Sequence, residues 1–410
     1  MPPHSRRWSV ALLLAIGVLV NYVDRVNISV AHDALHAEFG ISIVTFGYLL
    51  SAFNWTYAAA QLPMGILLDR FGVKAIGRIG SFLWCVASFG TALSPGMGMF
   101  FSMRLLLGIG ESPTFPANTK AIGHWFPRTE LSLATSIFDA AAKLGPAIAV
   151  PFIGILLIHF GWRWSFAASG ILSLFYFLAF FLLYRDPPAG QPLNEARSYA
   201  AAPVLYLLRQ RKILGLVTGF FGYNYCFNLL LLWMPTYFSS LNLNAMHSIA
   251  FSIIPWLFAT ATDLLIGGLL VDHLIRRGYD VTTVRLSVLI GGTVIGLAIA
   301  GAMFTSNSVF AVIWISISLG GLSAAAPVGW TIPTLIAPQN SVGKVGGILN
   351  TGNQISGIIA PIVTGYVVSL THSYLWAFGV AAVFLLLGIS AYIFMLGRIE
   401  PVRYVRLDSA

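Results

Sequence analysis

Charge is what this sequence has least of. Asp, Glu, Lys and Arg together make up 9% of its 410 residues, against 57% hydrophobic residues; a soluble protein carries about 25% charged residues. No soluble globule of this length hides so much apolar surface, so the chain reads as a polytopic membrane protein. Twelve spanning helices of about 20 residues take roughly 240 positions and exclude a large extramembrane catalytic domain. Cysteine is scarce too. Cys85 and Cys226 each lie inside an apolar run, which speaks against a disulfide framework and for small buried thiols. The histidines are scattered without metal-ligand spacing, and Gly108-x-Gly110 has neither a preceding strand nor a third glycine. Neither a metal nor a nucleotide cofactor is therefore expected, and no catalytic constellation of an intramembrane enzyme is visible.

What is present is a series of apolar runs. They predict twelve spans at about 9–30, 43–66, 76–94, 98–121, 132–158, 163–184, 212–237, 247–271, 284–304, 308–333, 344–370 and 374–396. Arg6 and Arg7 before the first run mimic a signal peptide, but no small-residue cleavage site follows, so an uncleaved helix is expected. With both termini in the cytoplasm, nineteen of the 23 basic residues fall on the inside: Arg6, Arg7, Arg70, Lys74, Arg78, Lys120, Arg128, Arg185, Arg197, Arg209, Arg211, Lys212, Arg276, Arg277, Arg285, Lys344, Arg398, Arg403 and Arg406. Only Arg163 falls outside. This asymmetry predicts a multi-pass inner (plasma) membrane protein with cytoplasmic ends. It also makes the net charge of +9 an orientation signal, not a nucleic-acid footprint.

The longest polar segment, 185–211, reads as a linker between two six-helix bundles, 1–184 and 212–410. The halves repeat. Gly65-Ile-Leu-Leu-Asp69-Arg70 is echoed by Gly268-Leu-Leu-Val-Asp272-His273 at an offset of 203, and Ile148-Ala-Val-Pro151 by Ile358-Ile-Ala-Pro361 at 210. Transporters commonly place substrate at the interface of such repeats.

Two local patterns carry a resemblance. Gly65-x-Leu67-x-Asp69-Arg70-x-Gly72-x-Lys74 and Arg104-x-x-x-Gly108-x-Gly110-Glu111 resemble the loop 2–3 and helix-four signatures of the major facilitator superfamily. Val73 replaces a residue that is usually basic there. The set Asn21-Tyr22-Val-Asp24-Arg25-Val-Asn27, Arg104…Glu111-Ser-Pro-Thr-Phe-Pro116 and Gly352-Asn353 is similar, more narrowly, to the anion:cation symporter family. The resemblance implies an all-α fold of two pseudo-symmetric six-helix bundles. It implies alternating-access uptake of small organic anions such as hexuronates, galactonate, glucarate, sialic acid or phthalate, with proton coupling. It also implies that Asp24, Arg25 and Glu111 handle proton and carboxylate. Aromatic or dicarboxylic acids are the second substrate class, and a drug or metabolite exporter is the other use of the same fold. The partners expected are the organic anion, protons and the bilayer, with no nucleic acid and a monomeric chain.

The residues themselves argue in the same direction. Ionisable side chains within spans are expensive and face a cavity or a partner. Here they are Asp24, Arg25, Arg104, Glu111, Asp139, Lys143 and Asp263, all but the last in the first half. Arg25 offers a planar fork suited to a carboxylate, or neutralises Asp24 or Glu111. Asp24 and Glu111 are the candidate proton-coupling carboxyls. Arg104 stands two turns from Glu111 but leans away from it, so supporting contacts to other acceptors are expected. Asp139 and Lys143 are spaced to pair on one face; Lys143 either adds a second cation for substrate or only satisfies Asp139. Tyr57, Trp330, Asn350 and Asn353 present hydroxyl, indole and amide groups to a polyol, or serve in packing. Asp69, Arg70, Lys74 and Asp272 form a candidate cytoplasmic gate. Asp263 has no assigned role beyond a structural partner.

Overall fold

The structure, a computed structural model, describes residues 4–126, 131–186, 202–241, 245–305, 307–338, 341–402 and 404. Arg128, Arg197, Arg403 and Arg406 lie outside them, as does the side chain of Asp69. Ten helices among the described residues are long and apolar enough to cross a membrane unaided, and a bent pair, His32–Phe39 with Ile43–Gln61, supplies an eleventh. The remaining span is broken into Met97–Glu111 and Thr114–Trp125.

The twelve are α1 (His4–Val30), α2 and α3 as the two limbs of Ile43–Ala92, α4 (Met97–Glu111 with Thr114–Trp125), α5 (Leu131–Phe160) and α6 (Trp162–Leu183). The second set is α7 (Arg211–Ser240), α8 (Ala245–Thr262, continued by Asp263–Leu270 and Val271–Arg276) and α9 (Val281–Gly296 with Leu297–Phe304). It is completed by α10 (Ser308–Ile336), α11 (Val342–Thr371) and α12 (Leu375–Ala391 with Tyr392–Leu396). Each expected span is a helix. The α2–α3 reversal occurs at Gly72, with φ 79°, a left-handed conformation that costs a β-carbon-bearing residue far more than glycine. The polar connection after α6 contains one short helix, Val204–Leu208. Large apolar side chains such as Phe71, Leu93, Phe175, Leu183, Leu269 and Phe394 are exposed on the outer face, a belt suited to lipid.

The sequence repeat is matched by the packing. In the first half α1 lies on α5, α2 on α4, and α3 on α6; in the second, α7 lies on α11, α8 on α10, and α9 on α12. Between the halves, α2 meets α11 and α5 meets α8, a pair of seams that the same repeat interchanges, while α1 meets α7. These seams are closest at the end away from the start of α1. There Ser51 Oγ donates to Ile358 O at 2.9 Å, Asn54 Nδ2 to Gly357 O at 3.0 Å and Ser29 Oγ to Leu232 O. Tyr48 and Tyr366 share a hydroxyl bond, and Phe46 sits edge-on to Trp233. Toward the other end Ala59, Thr331 and Gly347 are exposed. The contacts named between the halves therefore lie toward the end away from the start of α1.

Gly47 makes that closure tight: a β-carbon there would stand 2.6 Å from the backbone oxygen of Pro361. Gly47→Val is expected to disfavour the closed seam by about 1–3 kcal/mol, the usual cost of overpacking. A single cysteine at Ser51, which is fully buried, should then react with an impermeant maleimide roughly tenfold faster than in the Gly47 protein. An unchanged labelling rate would show that the seam does not hold this end shut.

Candidate binding site

The centre of the first half is built around two neighbouring residues that face different ways. Successive side chains on a helix point about 100° apart, so Asp24 and Arg25 of α1 serve different partners. Asp24 is 2% exposed and lies between α3 and α6, where Ser88 Oγ donates to Oδ1 at 2.8 Å and Ser173 Oγ to Oδ2 at 2.9 Å. Its backbone oxygen accepts from Arg104 Nη1 at 3.3 Å. That contact is the alternative acceptor expected for Arg104, and it ties α4 to α1.

Arg25 turns the other way. Its Nε donates to Glu111 Oε2 at 2.8 Å, and Glu111 is fully buried. The guanidinium carbon is 4.6 Å from the ring centre of Phe53, 5.0 Å from Tyr22 and 5.2 Å from Tyr57. Cation–π contact with three rings stabilises the cation without neutralising it. Arg25 Nη2 and Glu111 Oε1 are both buried without a hydrogen-bond partner among the described residues. Gly108 sets this arrangement: a β-carbon there would fall 2.3 Å from Phe53 O and from Thr56 Oγ1, so α2 and α4 approach closely enough for Phe53 and Tyr57 to reach the ion pair. Thr56 Oγ1 donates to Leu105 O at 2.6 Å across the same contact. The α4 helix breaks just after Glu111, where Pro113 offers no N–H and Ile109 O accepts instead from Ser112 Oγ at 2.8 Å; Pro116 offers none either, and Ser112 O accepts from Gln61 Nε2 at 3.3 Å.

A second charge group joins the halves. Lys143 of α5, 4% exposed, donates to Asp139 Oδ2 at 2.7 Å and stands 3.0 Å from Asp263 Oδ2 of α8. Asp263, without an assigned role from sequence, thus has its partner in Lys143. Asp263, the one in-span charge the sequence places in the second half, is paired across the seam.

A chain of this architecture, with an arginine–glutamate ion pair at lipid depth in its first half, invites comparison with known transporters. The profile of the Major Facilitator Superfamily matches residues 14–283. The chain belongs to the major facilitator superfamily. It is 36% identical to an uncharacterized transporter, YybO, of Bacillus subtilis (strain 168), over 98% of this chain and 96% of that one. It is 29% identical to the probable galactarate/D-glucarate transporter GarP of Escherichia coli (strain K12), over 96% and 95% of the two chains. In fold it is similar to a bacterial homologue of the human lysosomal transporter Spinster, in an inward-facing and occupied conformation. That likeness has a TM-score of 0.77 at 16% identity and covers 96% of this chain and 97% of that one. The chain is a transporter and not an enzyme.

Within this superfamily fold the other expected site residues fall into two groups. Tyr57 is beside Arg25, 4% exposed. Asn353 of α11 is 3% exposed, and neither atom of its amide has a hydrogen-bond partner among the described residues; its backbone oxygen accepts from Asn224 Nδ2 at 2.6 Å. Asn350 is half-buried one turn away. Trp330 of α10 is 41% exposed with its ring edge-on to Phe220 at 5.1 Å. Of the gate set, Arg70 and Asp272 are exposed and Lys74 is half-buried; Arg70 covers its neighbour Phe71 at 5.2 Å.

Sequence reasoning passed over Asn21, Asn224 and Asn228. Asn21 is fully buried in α1 with neither amide atom partnered among the described residues. Asn224 donates to both Asn353 O and Ser356 Oγ, and Asn228 donates to Asn224 O. Their signal was available: two amides four apart in an apolar span lie on one face.

Proposed function

We propose that the chain is a proton-coupled symporter of small organic anions, a sugar acid first, working by alternating access between bundles 1–184 and 212–410 joined by the 185–211 linker. The observation that carries this reading is the Arg25–Glu111 pair: a half-buried arginine with one nitrogen bonded to a fully buried carboxylate and another, Nη2, buried and unmatched among the described residues. An unmatched charged donor is costly in an apolar setting, and a substrate carboxylate supplies its complement. In the reading, protonation of Glu111 leaves Arg25 free to hold the anion with both nitrogens. Loss of the proton on the other side restores the ion pair and expels the anion.

Asp24 is assigned a second protonatable role, transmitted through Arg104, which binds the backbone of Asp24. Tyr57, Lys143, Asn350, Asn353 and Trp330 are assigned to the substrate, with Asn21 added for its unpartnered amide. Galactarate and D-glucarate transport, in GarP's name, supports a polyhydroxylated acid, for which amide groups are apt partners. The basic-residue asymmetry supports cytoplasmic termini. The end where the halves touch is then the outer one, and Asp69, Arg70, Lys74 and Asp272 would lock the halves when the inner side closes. The working unit is one chain in the plasma membrane.

Uptake into proteoliposomes tests this. Radiolabelled galactonate or galactarate should accumulate above equilibrium when the lumen is alkaline, and a protonophore should abolish the accumulation. Uptake that ignores the proton gradient would exclude coupling, and no uptake of either acid would exclude the substrate class.

A further inference from the structure

Lys143 holds more negative charge than it needs. Asp139 and Asp263 both lie on one ammonium group, so the triad carries one surplus carboxylate. The two acids are not equivalent. Asp139 rides on the same helix, one turn away, and accepts a directed hydrogen bond. Asp263 comes from the opposite half, and its Oδ2, although 3.0 Å from Nζ, accepts no well-aligned hydrogen bond among the described residues. It is also the first residue of an eight-residue π-helical stretch, Asp263–Leu270, an irregularity common at functional sites. The repeat offers a comparison. The offset that carries Asp272 to Asp69 carries Asp263 to Ala60, and the one that carries Pro361 to Pro151 carries Asn353 to Lys143. One seam is charged where its twin is neutral, so the pair is not a requirement of the fold.

Lys143 also shares a wall with Arg25. The Tyr22 ring lies against the Arg25 guanidinium, and Tyr22 interacts electrostatically with both Arg25 and Lys143. We propose that Lys143 is a second anion-binding point whose resting counter-ion is Asp263, so that the distal carboxylate of a dicarboxylic substrate displaces Asp263 and undoes the charge tie between the halves. This rests on the organic-anion reading and narrows it to dianions spanning Arg25 and Lys143.

The test measures binding to the purified full-length protein by calorimetry at pH 7. Galactarate and galactonate form one pair, adipate and hexanoate a second pair without hydroxyls. In each pair the dianion should bind about tenfold more tightly, as expected for one additional charged contact. Asp263→Asn should tighten the dianions roughly fivefold and leave the monoanions within about twofold, because one competing carboxylate is gone. Lys143→Gln should erase the preference, and Lys143→Arg, which keeps the charge and guards against a folding artefact, should preserve it. A wild-type protein that binds both sugar acids without preference overturns this proposal and leaves the sugar-acid reading intact. Preference within the adipate pair, with neither sugar acid bound, overturns that reading and supports this one. Binding of none of the four overturns both, and a Lys143→Gln protein that retains the preference overturns the displacement.

Discussion

Arg25→Lys is expected to weaken anion binding by about 2–3 kcal/mol, some 30- to 150-fold, although the charge is kept. The reason lies in the geometry around the guanidinium. One edge is committed to Glu111 through Nε at 2.8 Å, and the unmatched Nη2 belongs to the same rigid plane. A guanidinium can serve Glu111 and a substrate carboxylate with separate nitrogens at fixed spacing. A lysine ammonium is a single point that must choose between them. The rings of Tyr22, Phe53 and Tyr57 are spaced for a flat cation about 5 Å away, and a shorter, strongly hydrated ammonium would not fill that volume. Arg25→Ala should do worse, because it leaves Glu111 without its ion-pair partner in a fully buried position. Titration of galactarate by calorimetry checks the lysine variant. Affinity within about threefold of the wild type would mean that Arg25 only neutralises Glu111 and that the substrate is held elsewhere.

Much of this site was legible because charge is so rare in the chain. In an apolar span each ionisable residue is conspicuous and costly, so Asp24, Arg25, Arg104, Glu111, Asp139 and Lys143 could be picked out one by one. The spans, the half-chain repeat and the Asp139–Lys143 pair also follow from periodicities that act along a single helix. What the sequence could not convey is which partner each group finds across helices. Asp24 and Arg25 are adjacent in the chain, yet one faces serines of α3 and α6 and the other faces α4. Asp263 and Lys143 are 120 residues apart and meet because α5 and α8 form a seam between halves. The buried amides of Asn21 and Asn353 look like ordinary helix–helix glue in sequence. Only their lack of partners among the described residues sets them apart from Asn224, whose amide is used in packing.

Glu111→Gln is expected to remove concentrative uptake while sparing exchange. Glutamine imitates the protonated carboxyl in shape and in charge, so the variant should behave as a carrier fixed in the proton-loaded form. Arg25 would then lack a competing anion, and substrate binding should be retained or tightened. The proton gradient, however, would have no group to load at this position. One pH unit across the membrane corresponds to about 1.4 kcal/mol per coupled proton, or roughly tenfold accumulation. For each proton that Glu111 carries, the variant should lose that factor, while counterflow of labelled against unlabelled substrate should continue at a comparable rate. Wild-type uptake should rise as the outside is acidified, and the variant's dependence should flatten. Asp24→Asn separates the two carboxyls. Asp24 accepts from Ser88 and Ser173 and does not touch Arg25's guanidinium in the way Glu111 does, so its replacement should alter the pH profile without the same gain in anion binding. If Glu111→Gln accumulates substrate as the wild type does and Asp24→Asn does not, then the proton is carried at the serine-lined carboxyl and Glu111 serves only to hold Arg25 in place. If both variants accumulate normally, coupling does not depend on either carboxyl alone.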